Sequence, residues 1–517
     1  MTTSASHNSQ PGDSQDALLR MRGAAEFPPS SPELAELLVT DPAPEVRVTA
    51  ARRCTDLHSL AKAWKREADQ RVRAALAAAL CDVLSSINDS GALAALLAAD
   101  HFTDAIRAEV AGRTRHPRCR RIAIESIRDD DALDALARSA ADAETRKAAA
   151  EHVGVRRLHR VQEADATHQQ DVHERDPVAE RISLYVPRIL QQHLVSDPAT
   201  RSWMEEGTAA FVDISGFTML SEQLARKGRE GAENITDMVG GSFESILAVA
   251  YENGGSLLKF GGDALLLWFH DEGHAIRASR AAVLMRNVLH EVGHIEAPGV
   301  DVMLRMSQGV HSGMFHFFAV GTSHKELLTV GPAWSELVAN ENAADPDEII
   351  VSDATARLLP DECLGESKKP GRLLRSLPAG FAGKTPLVRR PRVPLETLAH
   401  CLAPTVRAHV AEGRVASEHR PVTVAFLRFE ATDALIGERD GSVAAEVLHR
   451  LVEIVEAATE RRDLALLASD IDADGGKLIL TAGAPRITGD DEERMLLALR
   501  EIVAAELPIP IRIGVHR

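Results

Sequence analysis

Two aspartates stand where apolar, strand-like runs meet glycines: Asp213 in FVDISGFT (Phe211 to Thr218) and Asp263 in LLKFGGDALLLWF (Leu257 to Phe269). Glycine adds no side-chain bulk, so each carboxylate keeps room for a phosphate to approach. A pair of carboxylates on adjacent strands can hold one or two Mg²⁺ or Mn²⁺ ions through oxygen, and such ions can bridge a nucleoside triphosphate. One ion lowers the pKa of an attacking hydroxyl, and the other neutralises charge on departing pyrophosphate. The ISGFT segment after Asp213 opens a helix, whose first N–H groups would face phosphate oxygens at the positive end of the helix dipole. An aspartate beside glycines more often marks a turn. The pairing of F-x-D-I-x-G-F-T with K-x-x-G-D about fifty residues later is much more specific.

The elements that must position these acids alternate between strand and helix from Gly207 to about Leu359. A strand ends at Asp213, a helical region covers Leu220 to Tyr251, and a hairpin with its turn at Gly261 and Gly262 carries Lys259 and Asp263. A helix over Glu272 to Val292 and strands at Met303 to Gly313 and Glu348 to Ser352 complete a β-α-β-β-α-β order, the ferredoxin-like plan. After a Pro-, Arg- and Gly-rich linker (Lys369 to Arg392) the pattern recurs: VTVAFLRF (Val422 to Phe429), a helix over Val447 to Arg462, GGKLILTAG (Gly475 to Gly483), a helix over Glu492 to Glu506, and IGVHR (Ile513 to Arg517). The second version stops where the first continues past its GVH strand.

Ahead of both, Ser31 to Val153 reads as short amphipathic helices in a loose repeat. DPAPEVRVTAA (Asp41 to Ala51), ADQRVRAALA (Ala68 to Ala77) and DAETRKAAA (Asp142 to Ala150) each place an acid near a turn and an arginine (Arg47, Arg73, Arg146) before an alanine-rich face. This resembles HEAT-type repeats; an irregular helical bundle is the alternative. The expected organisation is multidomain: a disordered N-terminus over 1–30, helical repeats over 31–158, a linker and amphipathic helix over 159–200, an α+β domain over 201–366, a linker over 367–415 and a truncated second α+β domain over 416–517. His168 and His173, five apart in the polar linker, do not share a helix face and read as solvated rather than as metal ligands.

With 517 residues, several cores are needed, and 45% apolar residues can supply them. A net charge of −17 argues against a surface built to coat nucleic acid. Five scattered cysteines (Cys54, Cys81, Cys119, Cys363, Cys401) form no C-x-x-C pair, which points to a reducing cytoplasm rather than a disulfide framework or zinc site. The polar N-terminus lacks a signal core, and no apolar run is long enough to span a membrane.

The Asp213 and Asp263 motifs resemble the class III nucleotidyl cyclase catalytic domain, strongly over Gly207 to Ser352 and more weakly over Val422 to Arg517. Within that family the chain looks most similar to the soluble adenylyl cyclase type, which pairs two unlike cyclase domains in one polypeptide. The resemblance implies conversion of ATP, or GTP, to a cyclic monophosphate and pyrophosphate. Asp213 and Asp263 would be the metal ligands, joined by the backbone of Ile214, while Gly216, Phe217, Thr218 and Gly262 would meet the phosphates. Lys259 falls where soluble-type relatives place a bicarbonate-binding lysine; an ordinary strand lysine is the other reading. The stretch that should supply a ribose-orienting asparagine and a transition-state arginine is VGPAWSELVANE (Val330 to Glu341), with Ser335 and Ala339 at those places. The arginine expected to accompany Lys259 aligns near Val338. In the second domain Arg428 and Lys477 take the two metal positions, where a cation repels Mg²⁺.

The expected chemistry of these 517 residues is therefore weak or absent cyclase activity, with the missing groups supplied by sequence past Arg517 or by another chain. A silent metal-nucleotide regulatory module is the alternative, as is a scaffold. The implied partners are ATP or GTP, a paired cyclase domain within the chain or in a homodimer, and a protein bound by the repeats.

Overall fold

The computed structural model describes residues 11–99, 101–167, 176–217, 219–220, 229–297, 300–378, 391–413, 421–438, 441–486 and 489–517. His168, His173 and Thr218 lie outside them. The chain divides into two compact units, Met1–Val153 and Gly154–Arg517.

Unit 1 is helical: α1 (Pro11–Glu26), α2 (Pro32–Thr40), α3 (Pro44–Arg53), α4 (Leu57–Arg66), α5 (Gln70–Ser85), α6 (Ser90–Leu97), α7 (Asp104–Arg113), α8 (Pro117–Glu125), α9 (Asp130–Ser139) and α10 (Ala143–Thr167), the last running past the unit's end. Asp56, Asp69, Asp89 and Asp129 start their helices by accepting hydrogen bonds from backbone N–H groups that have no intrahelical partner. The recurring arginines act at the opposite ends. Arg47 donates to the carbonyls of Asp41 and Pro42, Arg73 to that of Glu67, Arg107 to that of Leu97 and Arg146 to those of Ala140 and Ala141. Each guanidinium thus satisfies carbonyls left open where the preceding helix stops. The disorder expected over 1–30 is corrected at α1: Ala24 is buried in the helical core, and Arg20 pairs with Asp41 at 2.7 Å.

Unit 2 carries two main sheets. The first contains β1 (Ser202–Ser215), β2 (Ser256–Gly261), β3 (Ala264–Phe269), β6 (Arg305–Val320), β8 (Ile349–Val351), β9 (Leu364–Lys368) and β10 (Gly371–Leu374), in the order β2-β3-β1-β6-β8-β10-β9. β7 (Glu326–Leu328) pairs with β6, and β4 (His294–Ala297) with β5 (Val300–Met303) form a separate ribbon. The β2-β3-β1-β6 half is the expected split β-α-β plan. Its strands alternate. Ala210, Val212 and Ile214 face helices α13 (Arg229–Glu252) and α14 (His274–Val292), whereas Ala209 faces Trp268, Phe315 and Trp334 on the other side. The numbers α11 and α12 belong to Pro177–Ser183 and Arg188–Ser196.

That second face is covered by α15 (Pro332–Asn342), which lies so close that a Cβ on Gly309 would stand 2.5 Å from the Glu341 nitrogen. β9 and β10 carry the sheet to Leu374, into the stretch expected to be linker. Two further helices, α17 (Leu395–Ala399) and α18 (Pro404–Ala411), follow the four-residue α16 (Asp353–Ala356) in what remains of it.

The second sheet holds β11 (Thr423–Glu430), β12 (Ala465–Asp472), β13 (Gly475–Ala482) and β14 (Ile511–His516) in the order β12-β13-β11-β14. Element for element this is the order β2-β3-β1-β6 of the first sheet. Its helices are α19 (Thr432–Glu438), α20 (Gly441–Glu460) and α21 (Asp491–Ala504). The two lobes share a core: Phe318, Val320 and Leu328 of the first pack with Leu448, Leu451 and Val452 of the second. Burial of this kind is the main force holding two sheets together.

Candidate metal and nucleotide site

Asp213 is the last but two residue of β1, on the face opposite Val212 and Ile214 and directly across from Ser307 in β6. On its other side it pairs with Ala264, the first residue of β3, so Asp263 lies one residue further, in the turn. The Ile214 N–H donates to the Asp263 carbonyl at 3.0 Å and fastens that turn to the end of β1. The consequence is electrostatic. Half-burial and then the charge of Asp263 both push the Asp213 carboxyl above the usual aspartate range. Among the described residues neither acid forms an ion pair with a basic side chain, and two neighbouring carboxylates of that kind suit a hard divalent cation, whose ligands are oxygens.

The glycines explain the opening beside them. Gly262 has φ +69°, a left-handed conformation that favours glycine, and nothing lies within 4 Å of where its Cβ would be. Gly216, at φ +93°, turns the chain after β1 with 3.3 Å of clearance to the Met303 carbonyl. Phe217 packs its ring against the core of the first lobe. A third acid, Glu341 at the end of α15, accepts from Ser307 Oγ at 2.9 Å. Burial and then the Asp213 charge, acting against the Ser307 hydrogen bond, hold its carboxyl above the ordinary value. Among the described residues, no three of His, Cys, Asp and Glu gather as metal ligands. An ion here would be held by Asp213, Asp263 and the Ile214 carbonyl, completed by phosphate or water oxygens.

The remaining expected positions fall elsewhere. Ser335 donates to Asp433 Oδ1 at 3.0 Å and accepts from the Asp474 N–H at 2.8 Å, so it ties α15 to the second lobe. Ala339 is exposed on the same helix, while Val338 is buried beside Trp334 and Leu337. Arg428 and Lys477 sit directly across from each other on β11 and β13, and both pair with Asp472, at 3.1 and 3.7 Å. By register, the residue across from Arg428 corresponds to Ala264, and Gly476 takes the place of Asp263. The GGK-on-GGD match in sequence is therefore one residue out of step with the strand pairing.

Lys259 is the largest departure from a strand lysine in solvent. Its side chain is 9% exposed, donates to the Leu327 carbonyl at 2.7 Å and to Ser469 Oγ at 2.6 Å, and lies 3.7 Å from Glu326. Burial lowers its pKa, and Glu326 opposes that shift. Glu326, His324 and Glu456 are residues the motif reading missed. A signal for one of them existed: Glu456 falls on the apolar stripe of its helix with Leu448, Val452, Val455 and Thr459.

No protein-family model matches the chain. Over 151 residues, 28% of this chain, it is 26% identical to adenylate cyclase type 10 of Homo sapiens, and the match spans 9% of that protein's length. It is also 26% identical over 154 residues to adenylate cyclase 1 of Rhizobium meliloti (strain 1021), spanning 22% of that relative. Among solved structures, a class III adenylyl cyclase-like ATP-binding protein from Pseudomonas aeruginosa matches with a TM-score of 0.41 at 12% identity, over 70% of this chain and 82% of that one. The homology to adenylate cyclases supports a nucleotidyl cyclase family. Among the described residues no helix is long and apolar enough to cross a membrane.

Proposed function

We propose that the chain is a class III nucleotidyl cyclase of the tandem soluble type, in which Asp213 and Asp263 hold Mg²⁺ or Mn²⁺ with the triphosphate of ATP, or GTP. The observation that carries this reading is the meeting of the two carboxylates at one end of β1, beside open space over Gly262. When bound, the ions activate the attacking hydroxyl and offset charge on pyrophosphate. The chain's own part is to hold those oxygens in place through Asp213, Asp263 and Ile214 and to present the backbone of Gly216 and Phe217, with Thr218 beyond it, to the phosphates. The second lobe is read as a second cyclase-type copy of the first, supported by their common strand order. The arginine-capped helices of unit 1 are read as HEAT-like repeats that bind a protein partner. The five cysteines, all unpaired and buried, fit a reducing cytoplasm.

Turnover by these residues alone is expected to be slow or nil. Neither Ser335 nor Ala339 can gather developing phosphate charge, and loss of an arginine in related phosphoryl chemistry costs roughly 10³ to 10⁵ in rate. A silent metal-nucleotide module is the second reading. It is favoured by the engagement of the Ser335 hydroxyl with Asp433 and the Asp474 N–H. The test is cyclic nucleotide formation and nucleotide binding with Mn²⁺ and ATP, for the wild type and Asp213→Ala. Asp213-dependent turnover supports the enzyme, Asp213-dependent binding without turnover supports the module, and no metal-dependent binding rejects both.

A further inference from the structure

A chain of alternating buried charges crosses from the first lobe to the second. Lys259 on β2 lies 3.7 Å from Glu326 Oε1 on β7; Glu326 Oε2 lies 3.7 Å from His324 Nε2; His324 Nδ1 lies 3.1 Å from Glu456 Oε1 on α20. The second lobe closes both ends. Ser469 of β12 gives Glu326 its N–H at 2.9 Å and its hydroxyl, while that same hydroxyl accepts from Lys259. Glu456 accepts the N–H groups of Thr322 at 2.8 Å and Ser323 at 3.2 Å, in the loop between β6 and β7. His324 and Glu456 side chains are 3% and 4% exposed, so a lone charge there would be strongly disfavoured.

The geometry bears on the candidate site because Lys259 is two residues before the Gly261–Asp263 turn. Gly261 itself lies against Asp470, the residue following Ser469. A cleft of 320 Å³, lined by Tyr185, Arg188, Phe260, Lys325 and Leu467, opens onto Lys259 and Glu326.

We propose that Glu326 is a positioning residue: its carboxylate serves as the internal counter-anion of Lys259 and so holds β2, and the turn bearing Asp263, against the second lobe. The inference rests on the metal-nucleotide reading of Asp213 and Asp263. Without the carboxylate, a buried ammonium is left beside an anion-sized gap that the cleft connects to solvent. A small carboxylate should then substitute for the missing side chain.

The experiment uses the full chain with Glu326→Ala, measuring thermal midpoint and the affinity for Mn²⁺ with a non-reacting ATP analogue, with and without sodium formate. Glu326→Ala should lower the midpoint and weaken binding by about tenfold or more, as loss of a supporting group around a metal commonly does. Formate should restore most of both, chloride at equal ionic strength should not, and the wild type should respond to neither. An unchanged Glu326→Ala protein, or losses that formate repairs no better than chloride, overturns the inference. If Glu326→Ala does not fold, Glu326→Gln is compared with the Lys259→Met/Glu326→Gln pair; a double variant no more stable than the single one also overturns it. A wild type that binds no Mn²⁺ nucleotide rejects the proposed function and the positioning role together. Failure confined to the Glu326 variants rejects only the latter.

Discussion

The fold disfavours the charged form of Asp213, which is half-buried and lies near the charge of Asp263. Its raised pKa means that protonation competes with metal at a higher pH than for an isolated aspartate. Mn²⁺ affinity of the wild type is therefore expected to fall on acidification, with proton release on binding, when followed by calorimetry in buffers of different ionisation heat. Asp213→Asn should abolish that binding, yet raise the thermal midpoint of the metal-free chain near neutral pH by removing one member of a like-charged pair. A midpoint below wild type in the metal-free state would contradict the electrostatic account. The two acids were legible because each sits inside a short motif with its own glycines. Glu341 was not, since nothing in α15 marks an acid that meets Asp213 only after the helix docks.

At the scale of elements, α15 and β6 meet in a close joint beside the site. Gly309 sits across from Phe211 in β1, two residues from Asp213, and against the Leu337 carbonyl and Glu341 nitrogen at distances of 2.7 and 2.5 Å from a virtual Cβ. Gly309→Ala must push the helix off the sheet, and about 1–3 kcal/mol of stability should be lost in denaturant titration. Metal-nucleotide affinity should weaken with it, because Glu341 and the sheet face around Asp213 shift together. The strands and long helices follow from apolar alternation, which sets their faces before any packing occurs. β9 and β10 escaped because Gly371–Leu374 is short and lies in a Pro-, Arg- and Gly-rich stretch. Pairing to β8 and β9 makes it a strand. The step between Lys477 and Asp263 was hidden for a related reason: hairpin register is decided by cross-strand pairing, not by identical letters at the turn.

In the whole molecule, the shared core and the buried charge chain make the two lobes of unit 2 a joint structure. Burial pushes His324 down, but its pairings with Glu326 and Glu456 outweigh that and hold it at about 9, above its ordinary 6.5. Burial likewise pushes Glu326 up, while His324, Lys259 and Ser469 outweigh it and hold it at about 2. Lys325 is also close, donating to the Gly321 carbonyl, and His449 accepts from the Gly321 N–H. A raised histidine stabilises fully below its unfolded pKa and stops doing so as pH rises through the folded one. The His324 contribution is thus complete below 6.5 and gone by about 9, and the Glu326 contribution is complete above 4.5 and lost toward about 2. Denaturant titrations should show the wild type's advantage over His324→Gln shrinking between pH 6.5 and 9. A constant gap across that range would remove His324 from the account.

The sequence by itself determined the helical first unit and the succession of the main strands and helices along both lobes, and it singled out the two acids as candidates, because periodicity, turn glycines and local motifs are short-range properties that survive without a fold. Tertiary structure alone decided that Lys259 is buried against Glu326, that Ser335 joins the lobes and that Glu341 approaches Asp213. Those partners are brought together only when sheets and helices pack, and the energy of a charge depends on what has replaced the water around it.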